Sequence, residues 1–267
     1  MIVDRDAEIR LRDALRRHAP LAIAVSGGVD SVTLAYIAHR LAPNTTTVIH
    51  AVSPAVPRQA TDRVRAYARR ERWRLVVTEA GEFDDPAYRA NPADRCYYCK
   101  ANLYERIRAL TSSTIASGAN VDDLDDYRPG LVAAAERNVV HPYIEASVDK
   151  AGVRALARRH GLCDVAKLPA QPCLSSRVET GIAIDAADLA FIDGVENALR
   201  GVVRSDATVR CRITRLGAVV ELDGAAQLAH QAIESIAKRL CAEQGRTFAG
   251  VRAYRRGSAF LKIAVQG

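Results

Sequence analysis

The sequence predicts an α/β fold: a doubly wound parallel sheet followed by a smaller α+β domain. Short apolar runs alternate with segments of helical periodicity up to about residue 161, the order expected of βαβ units. Beyond residue 181 the order changes to helix, strand, strand, helix and strands. A proline-containing irregular stretch, 163–181, separates the two patterns. We therefore predict a larger α/β domain over 1–175 and a smaller α+β domain over 176–267.

The first half supplies the strands and helices of the predicted parallel sheet. Predicted strands share β-branched or apolar enrichment, and the helices share apolar residues at helical spacing. The strands cover 21–25, 46–52, 74–78, 113–118 and a short pair at 139–140, and the helices 31–41, 57–73, 100–110 and a segment from Ser147 or Asp149 to Gly161. A polar loop is expected over 79–95, and His141, before Pro142, is expected at a strand end.

The second half carries a separate and smaller pattern. A helix is predicted over 185–199 and a longer one over 225–243, with strands over 208–214, 218–223, 248–254 and 259–265. The first two strands are joined through a short turn at Gly217. This mixture of antiparallel strands and helices predicts an α+β unit.

Composition excludes several classes of protein. With 49% hydrophobic and 26% charged residues, the chain has the composition of a folded globular protein. No apolar run approaches the roughly 20 residues that span a bilayer, and the first residues lack the pattern of a signal peptide, so we expect a cytoplasmic protein without membrane contacts. The net charge of +7 is spread along the chain and peaks over 58–74. A solvated helix face explains that peak, so nucleic acid is not the favoured partner.

A glycine-containing loop, 26–31 (SGGVDS), lies between a buried strand and a helix. Gly27 and Gly28 let the backbone approach a phosphate, and the helix N-terminus offers unpaired N–H groups. Ser26 and Ser31 carry hydroxyls for phosphate oxygens, and Asp30 is expected to hold Mg²⁺. The Walker pattern and the GxGxxG of dinucleotide folds are both absent. The loop predicts a nucleotide phosphate site.

The six cysteines point to metal or sulfur chemistry rather than to disulfides, because we expect a reducing compartment. Cys96 and Cys99 form a CxxC before a helix, and Cys173 lies in the irregular stretch. Three cysteines suit an iron–sulfur cluster with one open iron, whereas a zinc site would need a fourth ligand such as Cys163. Spacing alone leaves both open. Cys211 and Cys241 fall in a strand and a helix, where core positions are expected.

The motifs together carry a family resemblance. The SGGVDS loop resembles the signature of the PP-loop ATP pyrophosphatases, which have an adenine nucleotide alpha hydrolase-like fold and cleave ATP between the α and β phosphates. DRCYYCK, SGANVDDLDDYRPG, PYIEASVDKAGVRALARRHGL, PCLSSR and the tail YRRGSAF resemble, in this order, motifs of the LarE family. Those proteins are ATP-dependent sulfur transferases of nickel-pincer cofactor synthesis, and they tend to form homo-oligomers.

The resemblance implies a reaction and roles for particular residues. LarE-like proteins adenylate a carboxylate of pyridinium-3,5-biscarboxylic acid mononucleotide and convert it to a thiocarboxylate. Cys173 matches the sulfur-donating cysteine, and with Cys96 and Cys99 it resembles the branch that holds a [4Fe-4S] cluster. The resemblance also implies ATP and Mg²⁺ contacts for Gly118 and the loop, and substrate contacts for Arg210, Arg212 and Glu221, with His50 and Ser53 near adenine and ribose. Lys100 and Arg177 flank the cysteines, where we expect them to favour thiolates or to hold the anions of the substrate. The resemblance further implies a PP-loop ATP pyrophosphatase domain with cysteine-bearing loops over 1–175 and a domain for substrate binding or oligomerisation over 176–267.

Alternatives stay open beside this interpretation. A PP-loop tRNA thiolase also combines the loop with three cysteines, although the sequence has no dedicated RNA-binding domain. Cys173 could instead give up its own sulfur without a cluster. An amidating PP-loop enzyme would not need the cysteines, and a nucleotide-binding sensor would need neither them nor Asp30. The family's PYG after the SSR arginine is replaced here by 178–181 (VETG), which affects the expected local substrate contacts.

Overall fold

In the computed structural model, residues 5–125, 128–169, 172–204 and 207–254 are described. The chain divides into two compact units. The first comprises Met1–Asp85 and Asp94–Gln171, and the second comprises Pro86–Ala93 and Pro172–Gly267. The short segment Pro86–Ala93 therefore leaves the first unit and returns to it, a feature that sequence periodicity does not indicate.

The first unit is built on a four-stranded parallel sheet with the strand order β3-β2-β1-β4. Its strands are β1 (Leu21–Ala24), β2 (Thr46–Val52), β3 (Arg74–Glu79) and β4 (Thr114–Ala116). Every pairing in this sheet is parallel, which confirms the predicted α/β class. The first crossovers run outward from β1 to β2 and β3, and β4 then lies on the other side of β1. The strand order therefore reverses between β1 and β4, and ligands of such sheets bind outside the carboxyl ends at that position.

Helices cover both faces of this sheet. They are α1 (Arg5–Arg17), α2 (Val29–Leu41), α3 (Arg58–Glu71), α5 (Arg95–Leu110), α6 (Pro129–Glu136), α7 (Pro142–Glu145), α8 (Lys150–Arg159) and α9 (Cys163–Ala166). Side chains alternate along each strand, so Ile23 and Val48 join one apolar cluster with α1, α2, α3 and α8. Ala22 and Ile49 join a second cluster with α5 and α6. The sheet is thus buried on both faces, which explains its continuous apolar strands.

Helices α1, α6, α7 and α9 were not predicted from the sequence, and three predicted segments also differ from the structure. Helix α5 begins at Arg95 rather than Lys100, so Cys96 and Cys99 are its second and fifth residues. The predicted strand at 139–140 is wrong, because Val140 makes only an isolated parallel bridge with Ala116. The expected polar loop over 79–95 contains a 3-10 turn, Glu82–Asp84, and the short helix α4 (Pro86–Arg89), which belongs to the second unit. Asp149 does cap α8, since its Oδ1 accepts from the Gly152 backbone N–H.

The second unit has a three-stranded mixed sheet with the order β5-β6-β7. Its elements are α10 (Ala186–Arg200), β5 (Val209–Thr214), β6 (Gly217–Leu222), α11 (His230–Glu243) and β7 (Phe248–Ala253), with 3-10 turns at Leu174–Arg177 and Gly224–Ala229. β5 and β6 form an antiparallel hairpin, and β7 pairs parallel to β6. The predicted α+β character is confirmed. The predicted strand over 259–265 and most of the YRRGSAF motif lie outside the described residues.

No helix in the described part of the chain is long and apolar enough to cross a membrane.

Candidate active site

The loop Ser26–Ser31, hereafter the glycine loop, joins β1 to α2 at the carboxyl edge of the large sheet. Its two hydroxyls face each other, because Ser26 Oγ and Ser31 Oγ are 3.2 Å apart and the Ser26 backbone N–H donates to Ser31 Oγ at 3.1 Å. Gly27 has a φ of +84°, and a Cβ there would lie 2.7 Å from the Ala60 carbonyl oxygen. Only glycine fits this position, so the loop depends on contact with the start of α3.

Two further side chains fix the glycine loop against α3. The Arg63 guanidinium donates to the Gly27 carbonyl at 2.7 Å. His50 is fully buried, with Nδ1 2.7 Å from the Val25 carbonyl oxygen and Nε2 2.9 Å from Thr61 Oγ1. Burial lowers the pKa of His50, so the imidazole is neutral and bonds through both nitrogens. The resemblance implied a nucleoside contact for His50, whereas the structure gives both of its ring nitrogens protein partners.

Asp30, the expected Mg²⁺ ligand, lies in the first turn of α2 and already has polar partners. The Lys150 ammonium is 2.5 Å from its Oδ2, and the Asn120 side-chain amide donates to its Oδ1 at 3.3 Å. The Tyr143 hydroxyl donates to its backbone carbonyl at 3.1 Å. A carboxylate beside phosphates is the kind of ligand that Mg²⁺ uses, so the residue fits the ion, but an ion on Oδ2 would displace Lys150.

Lys150, Asn120 and Tyr143 were not among the sequence-predicted site residues. Each lies within a motif that carried the family resemblance, in SGANVDD or in PYIEASVDK. Periodicity did not mark them, because their role depends on loops after β4 and around α7 that reach α2 from distant parts of the chain. The motif membership was the signal that could have found them.

Gly118, predicted to contact ATP, approaches the backbone of α2 closely. A Cβ at this position would lie 2.9 Å from the Ser31 backbone nitrogen and 3.0 Å from the Asp30 carbonyl carbon. The segment after β4 therefore packs directly on the helix N-terminus that the glycine loop leads into. The segments that follow β1 and β4 thus meet where the strand order reverses. This is the position at which sheets of this topology bind ligands.

The predicted cysteine ligands lie in two different units. Cys96 and Cys99 are half-buried near the N-terminus of α5, and Cys173 is half-buried immediately before the turn Leu174–Arg177. None of the six cysteines, all of them described, forms a disulfide. Within either unit, the described residues hold no group of three or more His, Cys, Asp or Glu side chains that could bind a metal ion. Cys211 and Cys241 are buried, as predicted.

Chain connectivity places the cysteines next to the passages between units. Cys96 follows the return to the first unit after Ala93, and Cys173 follows the passage after Gln171. Paired half-buried thiols at the start of a helix suit cluster ligation, since thiolates are the usual ligands of iron–sulfur clusters. Whether Cys173 completes that set stays a prediction.

Arg177 and Glu196 form a buried ion pair in the second unit. Arg177 Nε and Nη2 lie 3.0 and 3.1 Å from the two carboxylate oxygens of Glu196. Arg177 Nη1 also donates to the carbonyl oxygens of Pro172 and Cys173. The sequence assigned Arg177 to substrate anions or to the cysteine thiolate, but its guanidinium is only 2% exposed and holds the backbone of Cys173.

The paired arginines of β5 do lie on one face of the strand, as predicted. Arg212 Nε donates to Glu221 at 2.5 Å, and Arg252 also donates to Glu221. Burial, together with neighbouring Arg177, lowers the pKa of Arg210. We define the arginine cluster as Arg177, Arg210, Arg212, Glu196 and Glu221, all buried. The cluster has three guanidinium groups and two carboxylates, so it carries one excess positive charge. Such an excess suits the binding of an anion.

Lys100, which was predicted to favour thiolates or hold substrate anions because it flanks the cysteines, lies on α5 one turn beyond Cys96. Its Nζ is 6.0 Å from the centre of the Tyr104 ring. Its charge acts on both Glu82, which follows β3, and His141, which follows the bridge residue Val140. The positive charge of Lys100 therefore acts on groups at the carboxyl edge of the sheet.

Replacing Gly118 with alanine tests the close approach to α2. We expect Gly118→Ala to lower the free energy of unfolding by about 1–3 kcal/mol, because its Cβ collides with backbone that cannot yield cheaply. The matched control is Gly194→Ala on α10, where nothing lies within 4 Å and the better helix former should add about 1 kcal/mol. Urea unfolding measures the change in unfolding free energy of both variants. Changes of the same sign in the two variants would contradict the packing described.

Replacing Glu196 tests the buried ion pair. We expect Glu196→Ala to cost about 3–5 kcal/mol of unfolding free energy, because Arg177 is left buried beside no carboxylate. Glu243→Ala removes an exposed partner of Arg239 on α11 and should cost at most about 1 kcal/mol. Urea unfolding of the two variants should separate them clearly, and similar losses would argue against the pair's importance.

Comparison with known proteins gives relatives that span most of the chain. No protein-family model matches it. An uncharacterized protein of Synechocystis sp. is 36% identical over 192 residues, 70% of this chain and 71% of the relative. An uncharacterized protein of Methanocaldococcus jannaschii is 26% identical over 222 residues, 80% and 83% of the two chains. Pyridinium-3,5-bisthiocarboxylic acid mononucleotide synthase of Lactiplantibacillus plantarum is 29% identical over 214 residues, 78% and 76% of the two chains. The chain therefore belongs to the protein family of the Synechocystis relative, and its similarity to the Lactiplantibacillus synthase supports the LarE family.

Proposed function

We propose that this protein is an ATP-dependent sulfur transferase that forms AMP and pyrophosphate. It adenylates a carboxylate of pyridinium-3,5-biscarboxylic acid mononucleotide and converts that carboxylate to a thiocarboxylate. The name of the Lactiplantibacillus relative describes the synthesis of the corresponding bisthiocarboxylic acid mononucleotide. The observation that carries the proposal is the glycine loop at the carboxyl edge, enclosed by Gly118 and carrying Asp30 beside Lys150.

The glycine loop supplies what adenylation requires. A carboxylate is a poor electrophile, and transfer of AMP to its oxygen creates a good leaving group. The backbone N–H groups at the start of α2, with the hydroxyls of Ser26 and Ser31, bind phosphate oxygens and stabilise the charge that develops on pyrophosphate. Mg²⁺ held by Asp30 supplies additional charge neutralisation when bound. The Lys150 ammonium already brings one positive charge to this position.

Sulfur transfer is assigned to the three cysteines. Cys96, Cys99 and Cys173 would hold a [4Fe-4S] cluster, which supplies an open iron able to carry an extra sulfur. Arg177 fixes the backbone of Cys173 through the carbonyl oxygens of Pro172 and Cys173, so the cysteine is held in one conformation. The thiolate rather than the thiol is the reactive form of a cysteine.

The arginine cluster is the proposed site for the anionic groups of the substrate. Arg210 and Arg212 lie on the same face of β5, and guanidiniums match phosphate geometry. Glu221 orients Arg212 from the adjacent strand rather than contacting the substrate anion itself, because like charges repel. We further propose a homo-oligomer, as the resemblance implies, which light scattering of the purified protein would test.

The first experiment tests the acceptor. Purified protein is incubated with Mg-ATP and, in parallel, with the pyridinium dicarboxylate nucleotide, with unmodified tRNA, or with no acceptor. We expect AMP and pyrophosphate only with the pyridinium nucleotide, because the arginine cluster offers a small anion site. Products with tRNA alone would favour the tRNA thiolase instead, and ADP with phosphate would contradict adenylation.

The second experiment tests the cysteines in protein purified without oxygen. We expect Cys96→Ala, Cys99→Ala and Cys173→Ala each to lose iron, sulfide and thiocarboxylate formation while they keep pyrophosphate release, because adenylation precedes sulfur transfer. Cys163→Ala, which removes an exposed thiol, is the control and should keep iron, sulfide and thiocarboxylate formation.

Two other results would revise the assignment of sulfur delivery. Loss confined to Cys173→Ala, with conversion of Cys173 to dehydroalanine in the wild type, would show a sacrificial cysteine. A colourless protein with stoichiometric zinc that depends on Cys163 would overturn the cluster.

A further inference from the structure

A serine–histidine pair lies at the carboxyl edge of the large sheet, and the function proposed above uses neither residue. Ser117 directly follows β4, and His141 follows Val140, which bridges to the last residue of that strand. Ser117 Oγ and His141 Nδ1 are 2.8 Å apart, which is a good hydrogen bond. The sequence indicated only a strand end for His141. The structure instead joins it to the SGAN motif.

The Ser117 hydroxyl can be the donor of this bond. Ser117 Oγ accepts a long contact from the Ala119 backbone N–H at 3.5 Å, so its own proton is available to donate to Nδ1. Burial lowers the pKa of His141, which favours the neutral ring. With Ser117 as the donor to Nδ1, that neutral ring carries its proton on Nε2. Among the residues that the structure describes, none forms a hydrogen bond with Nε2, and the ring is half-buried. Nε2–H is therefore a donor available to a ligand.

Charges of both signs act on this imidazole. Asp123, Glu145 and Lys100 all act on it electrostatically. Each carboxylate has its own cation, since Arg128 lies 3.2 Å from Asp123 and Arg17 lies 2.8 Å from Glu145. These ion pairs reduce the negative charge that the two carboxylates present to the ring. The Lys100 ammonium adds positive charge at the same edge.

Both residues are linked to the start of α2 through their neighbours. Gly118, next to Ser117, packs on the Ser31 backbone nitrogen. Tyr143, two residues after His141, donates to the Asp30 carbonyl oxygen. The pair consequently belongs to the same edge as the helix N-terminus to which the nucleotide phosphates are assigned.

We propose that Ser117 and His141 form a binding dyad for the phosphate chain of the bound nucleotide. The Ser117 hydroxyl fixes the tautomer of the ring, and His141 Nε2–H donates to a phosphoryl oxygen. This inference rests on the proposed function, because it takes a nucleoside triphosphate as the ligand of the glycine loop. It adds a binding residue that lies far from the loop in sequence.

Two substitutions at position 141 separate ligand binding from structural support. An asparagine amide reaches the position of Nδ1 and keeps the bond to Ser117, but it has no donor at the position of Nε2. A glutamine amide reaches the position of Nε2 and loses the bond to Ser117. His230→Asn changes an exposed imidazole in the second unit and serves as the control.

Calorimetric titration with Mg-ATP, and separately with Mg-pyrophosphate, measures the affinities of these variants. We expect His141→Asn to weaken both by about 10- to 100-fold, the effect of losing one hydrogen bond to a charged group. His141→Gln should retain more affinity than His141→Asn, and His230→Asn should match the wild type. In an NMR titration, the pKa of His141 should rise when pyrophosphate binds, since a neighbouring anion favours the protonated ring.

Several outcomes would overturn the dyad. Wild-type affinity for Mg-ATP and Mg-pyrophosphate in His141→Asn would do so. Weaker binding in His141→Gln alone would also overturn it, because that result would indicate a structural role. A loss confined to the pyridinium substrate would remove the phosphate assignment. If the wild type bound pyrophosphate through His141 but formed no AMP with any acceptor, the proposed function would fail while the dyad stood.

Discussion

The close approach of two backbone segments at the start of α2 is the constraint on which the first unit depends. Gly118 packs on the Ser31 nitrogen, and Gly27 packs on the Ala60 carbonyl, so neither position has room for a side chain. These contacts bring the ends of β1 and β4 together where the strand order reverses. The unpaired N–H groups of the helix, the Asp30–Lys150 pair and the Ser117–His141 pair are all arranged around this backbone junction.

The second unit is organised by buried charge instead. Glu196 links the turn that carries Cys173 to β5, because it accepts from Arg177 and from the Cys211 backbone N–H. Arg212 extends the network to the same turn by donating to the Ser176 carbonyl. Buried ion pairs seldom add stability over apolar packing, but they fix groups in one arrangement when every donor is satisfied. Here they join the cysteine-bearing turn and the arginine-bearing strand into one framework.

Much of the fold could be predicted from the sequence, because parallel strands buried on both faces give unbroken apolar runs. β2 was predicted with its observed bounds, and the mixed character of the second unit followed from its order of elements. The passage of Pro86–Ala93 into the second unit could not be predicted, since it depends on distant contacts. One is the Asn91 amide, which donates to the carbonyl oxygens of Glu179 and Ile182.

For the candidate site, residue types were predicted better than residue roles. Gly27 and Gly118 were found through their motifs, and their close contacts supply the reason. Arg177 was expected to bind a ligand, but its guanidinium pairs with the buried carboxylate of Glu196 on α10. No local sequence pattern reveals such a partner.

The exchange of labelled pyrophosphate into ATP tests the central claim most directly, because it reports reversible adenylation before any sulfur is transferred. With the pyridinium dicarboxylate nucleotide present and no sulfur source, the account predicts rapid incorporation of label, and none when that nucleotide is omitted. Absence of exchange with the nucleotide, in protein shown to bind Mg-ATP, would contradict the account.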